Sequence, residues 1–253
     1  MIDRYANLDS PLHSLDPRWK LLSLFILILV CASVNSPPAV FFAAGAAVII
    51  IILSRVPVRF VFHTLKAPFI LLIVMIFFLV ITSGGRPLFG LAFITVYIDG
   101  LRMAAIICIK ALSIMLIFIA LFGTSRLNII MKALSYFGFP RILTGLLLST
   151  YRYIFLSFED LEKLFVAARL RGLTLRKGIG NTGTTVNILA TLLVRSYEQS
   201  ERTYVAMYLR GFSGEFRTLE EFKAKPIDHA KGSALLIVSA LVLFLEYFLR
   251  LKR

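Results

Sequence analysis

Two cysteines and three histidines in 253 residues leave little for disulfide bracing or metal chemistry. Cys31 and Cys108 both sit inside apolar runs and read as core thiols rather than as a bridge or a ligand pair. His13, His63 and His229 fall in three different segments, and no H-E-x-x-H, G-x-S-x-G or G-x-x-x-x-G-K-[ST] pattern occurs. Gly178-Ile179-Gly180 lacks the preceding strand and the following lysine-serine pair of a phosphate loop. Carboxylates are missing from the apolar runs except Asp99 and Glu246 near their ends, so a self-contained ion or proton pathway has no facing charges to use. No catalytic residue and no metal ligand is therefore expected in this chain. Acidic side chains number only 14 against 28 lysines and arginines, a formal net charge of +14. No basic run interleaves with stacking aromatics, which argues against nucleic acid as a partner. The N-terminus is polar through Lys20 and lacks a cationic stretch, short apolar core and cleavage site, so no removable signal peptide is expected.

What the chain has in excess is apolar sequence. Its residues are 58% hydrophobic, against about 45–50% in soluble domains, and its mean hydropathy is +0.85. Five runs approach the roughly 20 apolar residues that cross a bilayer: 19–35, 38–54, 67–83, 101–122 and 232–251. Asn35-Ser36-Pro37-Pro38 breaks the first two into a helical hairpin, because proline removes a donor and restricts the residue before it. Gly84-Gly85-Arg86-Pro87 ends the third run and Asp99-Gly100 opens the fourth; Leu88–Tyr97, too short to cross, reads as interfacial or re-entrant. Arg55, Arg59 and Lys66 mark the loop after the second run as cytoplasmic, which places the N-terminus and segment 124–231 inside. That segment carries sixteen Lys/Arg against nine Asp/Glu. By parity the basic tail Arg250-Leu251-Lys252-Arg253 lies outside, against the charge rule. Lys110, inside the fourth run, either snorkels, meets a backbone carbonyl, or grips a partner subunit.

Segment 124–231 has helical periodicity of a different kind. Leu143, Leu147, Tyr151, Ile154, Phe158, Leu161, Phe165 and Ala168 recur at spacings of three and four, between Pro140 as a first-turn residue and Gly172 as a stop. Val186, Leu189, Leu193, Tyr197, Ser200, Tyr204 and Met207 repeat the rhythm up to Gly211. Thr124-Ser125 can cap a shorter helix near 126–137, and the Gly/Thr-rich linker 174–185 turns the chain between the long ones. The expected fold is thus an all-α integral membrane protein of about five transmembrane helices with one short and two long amphipathic helices on its cytoplasmic side. It is organised as 1–123, 124–231 and 232–253.

Within that segment one pattern is written twice. Ser157, Glu159, Glu162, Val166, Ala167, Leu170, Arg171 and Gly172 recur thirty-nine positions later as Ser196, Glu198, Glu201, Val205, Ala206, Leu209, Arg210 and Gly211. Glu159–Lys163 and Glu198–Arg202 have the favourable i, i+4 order, so the acidic pairs read as a solvated face rather than a metal site. A single Arg-Gly at a helix end is a cap. Two of them closing one sixteen-residue pattern point to a pair of partner contacts, since arginine forks onto carboxylates and glycine permits close approach. Twin tips fit a partner of twofold or pseudo-twofold symmetry.

On these residues the chain resembles the EcfT/CbiQ family, the transmembrane T component of energy-coupling-factor importers. The resemblance is carried by Ser14-Leu15-Asp16-Pro17-Arg18-Trp19-Lys20-Leu21, Tyr151-Arg152-Tyr153, Arg195-Ser196-Tyr197-Glu198 and the two arginine signatures. The family signature is Ala-Arg-Gly; here it is Leu170-Arg171-Gly172 and Leu209-Arg210-Gly211. The resemblance implies that the two long helices cross, with Tyr151, Ile154, Phe158, Phe165, Leu193, Tyr197 and Tyr204 packing at the crossing, and insert their tips into grooves of two ABC ATPase subunits. It implies a separate substrate-binding membrane subunit, ATP and Mg held by the ATPases and no cofactor on this chain. It further implies residence in a bacterial or archaeal cytoplasmic membrane, and the opening and tyrosine motifs are most similar to cobalt- and nickel-type members. A membrane enzyme acting on lipid or isoprenoid substrates is the alternative; it requires an Asp-rich or His/Ser constellation that the sequence does not supply. A secondary transporter would require intramembrane charge pairs or inverted repeats, whereas this repeat is direct.

Overall fold

The computed structural model describes residues 10, 12, 15–82, 87–91, 94–171, 182–212 and 226–251. The N-terminal residues through 9, His13, Ser14, Gly84-Gly85-Arg86, Gly172, most of the expected 174–185 linker including Gly178-Ile179-Gly180, and Lys252-Arg253 lie outside the described residues. The helices are α1 (Pro17–Ser33), α2 (Pro37–Ser54), α3 (Val58–Thr82), α4 (Ile98–Gly123), α5 (Leu127–Tyr136), α6 (Arg141–Leu170), α7 (Thr182–Leu209) and α8 (Pro226–Leu251), with strands β1 (Pro87–Leu91) and β2 (Ile94–Tyr97) between α3 and α4. Two compact units result: 1–133 with 221–253, and Leu134–Glu220. The second is narrower than the 124–231 segment expected from composition, and its first boundary falls within α5.

In the first unit, α1 starts at Pro17, two positions before the run expected at 19. Asp16 accepts from the Arg18 N–H at 2.9 Å and Pro17 takes the first helical position, where a missing N–H costs nothing. The core combines Leu24, Leu27, Val30 and Cys31 of α1, Ala39, Val40, Ala43, Ala47 and Ile50 of α2, Ile117, Ala120 and Leu121 of α4, and Val242 of α8. α2 is apolar on every side, so what selects its buried face is size: the alanines turn inward toward α4 and allow close backbone approach, while Phe41, Ile49 and Ile52 face outward. α4 and α8 each pack on both α1 and α2, and α3 leans on α4.

Among the described residues, four helices are long and apolar enough to cross a membrane, over Pro37–Ser54, Val58–Val80, Gly100–Gly123 and Ile227–Leu251. α1, with 17 residues, sits at the lower bound of the roughly 17–25 residues of a spanning helix. Two details differ from expectation. α3 begins at Val58, nine positions before the run expected at 67, so Arg59 and Lys66 belong to the helix rather than to a loop. Pro68 lies inside it, a placement that transmembrane helices tolerate. The 88–97 stretch is a β-hairpin, with Phe89 paired to Val96, Gly90 to Thr95 and Leu91 to Ile94, and a register irregularity between Pro87 and Phe89. Backbone pairing across the hairpin satisfies groups that a short re-entrant coil would leave open.

Helix ends tie this unit together. Lys20, in α1, donates to the Thr124 carbonyl and to Ser125 Oγ just past α4. At the other end of α1, Glu246 of α8 accepts from the backbone N–H groups of Asn35 (3.3 Å) and Ser36 (3.0 Å) and from Arg250 Nε (3.1 Å). An acid from a distant helix thus supplies the anion at the N-terminus of α2, where Ser36 makes no side-chain cap. The start of α8 lies beside the start of α1 and its end beside the α1–α2 turn, so the Arg250 end of α8 and the Gly123 end of α4 are at opposite ends of the bundle.

Candidate coupling surface on α6 and α7

The second unit is built on two helices of 30 and 28 residues. They meet where Tyr153 donates its hydroxyl to Thr203 Oγ1 at 2.9 Å. On α7 the more protected positions are Thr185, Ile188, Leu192, Gln199, Thr203 and Met207, a three-and-four stripe one residue out of step with the expected Val186, Leu189, Leu193, Tyr197, Ser200 and Tyr204. On α6, Tyr151, Leu161 and Phe165 are half-buried, but Ile154 and Phe158 are exposed. Phe158 is 64% exposed and Tyr197 67%, and Leu193 and Tyr204 are exposed likewise. The expectation that these side chains are buried between the two helices is corrected for Ile154, Phe158, Leu193, Tyr197 and Tyr204. A shift of one residue rotates a helix face by about 100°. A helix carrying leucine, valine and tyrosine on several faces offers more than one stripe to a periodicity search.

Between the helices runs a cleft of about 860 Å³. Ile154, Phe158 and Leu192 line it together with Thr150, Ser196 and Gln199, so its wall alternates apolar and hydrogen-bonding groups. The acidic pairs of the repeat make local contacts: Lys163 reaches Glu159 at 2.9 Å and Asp160 at 3.9 Å, and Arg202 reaches Glu198 at 3.7 Å. The hydrogen bond and charge of Glu159 raise the Lys163 pKa above its ordinary value, but the pair is solvated and contributes little to stability. Among the described residues no group of three or more His, Cys, Asp or Glu side chains is placed to hold a metal ion.

At the ends of the two helices an apolar and a basic side chain are exposed together. Leu170 is 85% exposed and Leu209 78%, and each precedes an exposed arginine. At α6 the backbone N–H of Arg171 bonds to the carbonyls of Ala167 and Ala168. At α7, Gly211 adopts φ +73° while its N–H bonds to the Tyr208 carbonyl and the Phe212 N–H reaches back to Met207. This pairing is the glycine-closed helix end in which a left-handed residue satisfies the last carbonyls. A Cβ on Gly211 would meet no atom within 4 Å, so the glycine is needed there for backbone conformation rather than for space. The α7 end is therefore closed by main chain. Among the described residues, neither Arg171 nor Arg210 has an ion-pair or side-chain hydrogen-bond partner, and both guanidiniums project into solvent.

A family model described as "Cobalt transport protein", CbiQ, matches residues 9–220, which includes both tips. The chain belongs to the EcfT/CbiQ family. Among its relatives named "Energy-coupling factor transporter transmembrane protein EcfT", the one from Clostridium kluyveri is 29% identical, covering 94% of this chain and 93% of its own. Those from Streptococcus equi subsp. equi and Bacillus subtilis are 26% and 27% identical, covering 96% and 99% of this chain and 95% and 98% of theirs. The likeness thus runs through the bundle as well as α6 and α7.

Seen as an EcfT/CbiQ chain, the remaining expected residues find definite places. Lys110 donates to Asn35 Oδ1 at 3.3 Å, a side-chain acceptor in the α1–α2 turn rather than the backbone carbonyl considered from sequence. Gly172 lies outside the described residues. The opening motif of the family has a physical account here: Asp16 caps α1, Trp19 packs edge-on to His229, and Lys20 bonds to the end of α4. Glu246 was legible only as a carboxylate near a span end; its pairing with a turn more than two hundred residues earlier has no local signal.

Proposed function

We propose that this chain is the energy-coupling membrane subunit of an energy-coupling-factor importer, carrying no active site of its own. The observation that supports it is the pair of exposed Leu-Arg tips at the ends of α6 and α7, each with an exposed guanidinium left for a partner. In this reading, Leu170-Arg171-Gly172 and Leu209-Arg210-Gly211 enter grooves of two ABC ATPase subunits, which hold the ATP and Mg. The apolar flank of α6 and α7, with Phe158, Leu193, Tyr197 and Tyr204 exposed, is covered by a separate substrate-binding membrane subunit and by lipid. The N-terminus lies on the cytoplasmic side of the cytoplasmic membrane, because the basic excess of segment 124–231 belongs inside. Cobalt or nickel is the proposed cargo; the description of the matching family model supports cobalt, and nickel rests on the likeness of the opening and tyrosine motifs alone.

The test separates a cap from a contact. A helix end needs only positive charge, so Lys at both positions would preserve it; a guanidinium forked onto carboxylates is not reproduced by Lys. Truncation to Ala leaves partner carboxylates unpaired at about 2–5 kcal/mol per site. Arg171→Ala/Arg210→Ala and the double Lys variant are both expected to lose ATPase in a pull-down while still inserting and folding. Wild-type retention of ATPase by both variants would reduce the arginines to caps.

A further inference from the structure

Lys110 stands well inside the apolar span Gly100–Gly123 of α4, among Ile106, Ile107, Ile109 and Leu112. Half-buried, it donates to the side-chain oxygen of Asn35 at 3.3 Å, and among the described residues no carboxylate pairs with it. Asn35 in turn donates its backbone N–H to Glu246, which also accepts from the Ser36 N–H and from Arg250 Nε. One hydrogen-bonded chain within the bundle therefore joins two cations through a single carboxylate, and that carboxylate is already engaged by the start of α2 and by Arg250. The balance is one positive charge. Asn35 and Arg250 are exposed, so the chain of contacts opens onto the surface of the bundle.

Helix lengths place this cluster in depth. α1 has 17 residues and α3 has 25, about 25 and 37 Å at the rise of an α-helix. Both begin at the Gly123 end of α4, since Lys20 bonds to Ser125 and a Cβ on Gly123 would lie 3.6 Å from Val56 and 3.9 Å from Phe60. The α1–α2 turn thus ends about 12 Å short of the far end of α3, and α4 runs on beyond Lys110 for the residues 98–109. A hydrocarbon layer about 30 Å thick that covers α3 and α4 leaves the turn and Lys110 below the headgroups on that side. An ammonium there is costly, and the neutral amide of Asn35 does not cancel its charge. A lipid phosphate reached by the long basic side chains does. Tyr247, next to Glu246 and 65% exposed, adds a ring of the kind that sits at headgroup level. We propose that Lys110, Asn35 and Arg250 form a site for the phosphate of an anionic glycerophospholipid, in the leaflet at the α1–α2 turn. A lipid of one net negative charge matches the one positive charge left over. The site uses no residue of α6 or α7 and is independent of their coupling role.

The test uses the full chain, purified in detergent and stripped of lipid, with binding read by native mass spectrometry and by thermal shift. The probes are phosphatidylglycerol, phosphatidylcholine with the same acyl chains, and water-soluble glycerol 3-phosphate. The wild type should take up one phosphatidylglycerol at least about tenfold more tightly than phosphatidylcholine. Lys110→Gln should reduce that preference to within about twofold, whereas Lys110→Arg and Arg102→Gln, the latter at the other basic residue of the span, should keep it. Equal affinity of the wild type for the two lipids overturns the proposal and assigns the charge of Lys110 to a carboxylate of a protein partner. An undiminished preference in Lys110→Gln overturns it as well. Competition by glycerol 3-phosphate at the concentrations at which the lipid binds would make this a site for soluble phosphate and not for lipid. The wild-type comparisons need no substitution, so a folding defect in Lys110→Gln does not shelter the proposal from refutation.

Discussion

The bundle and the α6–α7 pair treat polarity in opposite ways. In the bundle, buried charged groups find partners inside the same unit: Lys20 on Thr124 and Ser125, Glu246 on Asn35, Ser36 and Arg250, Asp16 on Arg18. Its exposed large hydrophobic side chains lie on α1, α2, α3, α4 and α8, as a bilayer-embedded bundle requires. In the helical pair the protruding groups are at once apolar and basic, Leu170 with Arg171 and Leu209 with Arg210, and large side chains such as Phe158 and Tyr197 lie open. A bilayer can cover the first kind of surface. A guanidinium beside a leucine at a helix tip is left to water, and in the proposed coupling role to the carboxylates of a protein partner.

The largest expected contrast comes from placing the same charge in each region. Leu27→Asp, at a fully buried core position of α1, should destabilise the purified chain by at least about 4 kcal/mol, since an unpaired carboxylate is left in an apolar core. Phe158→Asp or Tyr197→Asp should move the thermal midpoint in detergent by no more than about 0.5 kcal/mol equivalent while weakening assembly with the membrane partner. A large loss of stability in either of the last two would show that the exposed faces are in fact packed, and would restore the burial expected from periodicity.

Glu246→Ala comes next. It strips the acceptor from two backbone N–H groups and from Arg250, and should cost the bundle about 2–4 kcal/mol, with Glu246→Gln losing less because one acceptor oxygen remains. Equal stability of Glu246→Ala and wild type would mean that water or lipid caps α2 just as well. The helical pair should be unaffected, which limited proteolysis at the α6 and α7 ends can read separately.

Two glycines sharpen the comparison at smaller scale. Gly232→Ala pushes a methyl into Trp19 and should cost about 1–3 kcal/mol in the bundle by overpacking. Gly211→Ala meets no neighbour but must hold φ +73°, a strain of about 1–2 kcal/mol confined to the end of α7. Hydrogen exchange at the Gly211 and Phe212 amides should rise in the second variant alone. Faster exchange throughout the bundle in Gly211→Ala would break the separation between the two regions.

How much of this could be read from residues alone follows the range of the interactions. Helix existence and several helix ends were legible because they depend on neighbours in the chain: Asn35-Ser36-Pro37 separates α1 from α2, and Gly211 closes α7. The i, i+4 ion pairs of α6 and α7 were legible for the same reason. The start of α3 was not, because Arg59 and Lys66 looked like loop charges, whereas helical geometry accommodates long basic side chains near a membrane surface. Nor was the 87–97 hairpin, where a short apolar run has no period that separates strand from membrane-dipping coil.

The sequence by itself determined that the chain is membrane-embedded, that it carries a duplicated helix ending in Leu-Arg-Gly, and which family those residues resemble, since composition, period and motif are properties of the chain in order. Tertiary structure alone decided which stripe of α7 turns inward, that Phe158 and Tyr197 face out, and that Lys20 and Glu246 bond across more than a hundred residues. The physical reason is that an apolar helix has several nearly equivalent faces. Only the volumes and hydrogen-bonding groups brought against it by distant parts of the chain choose among them.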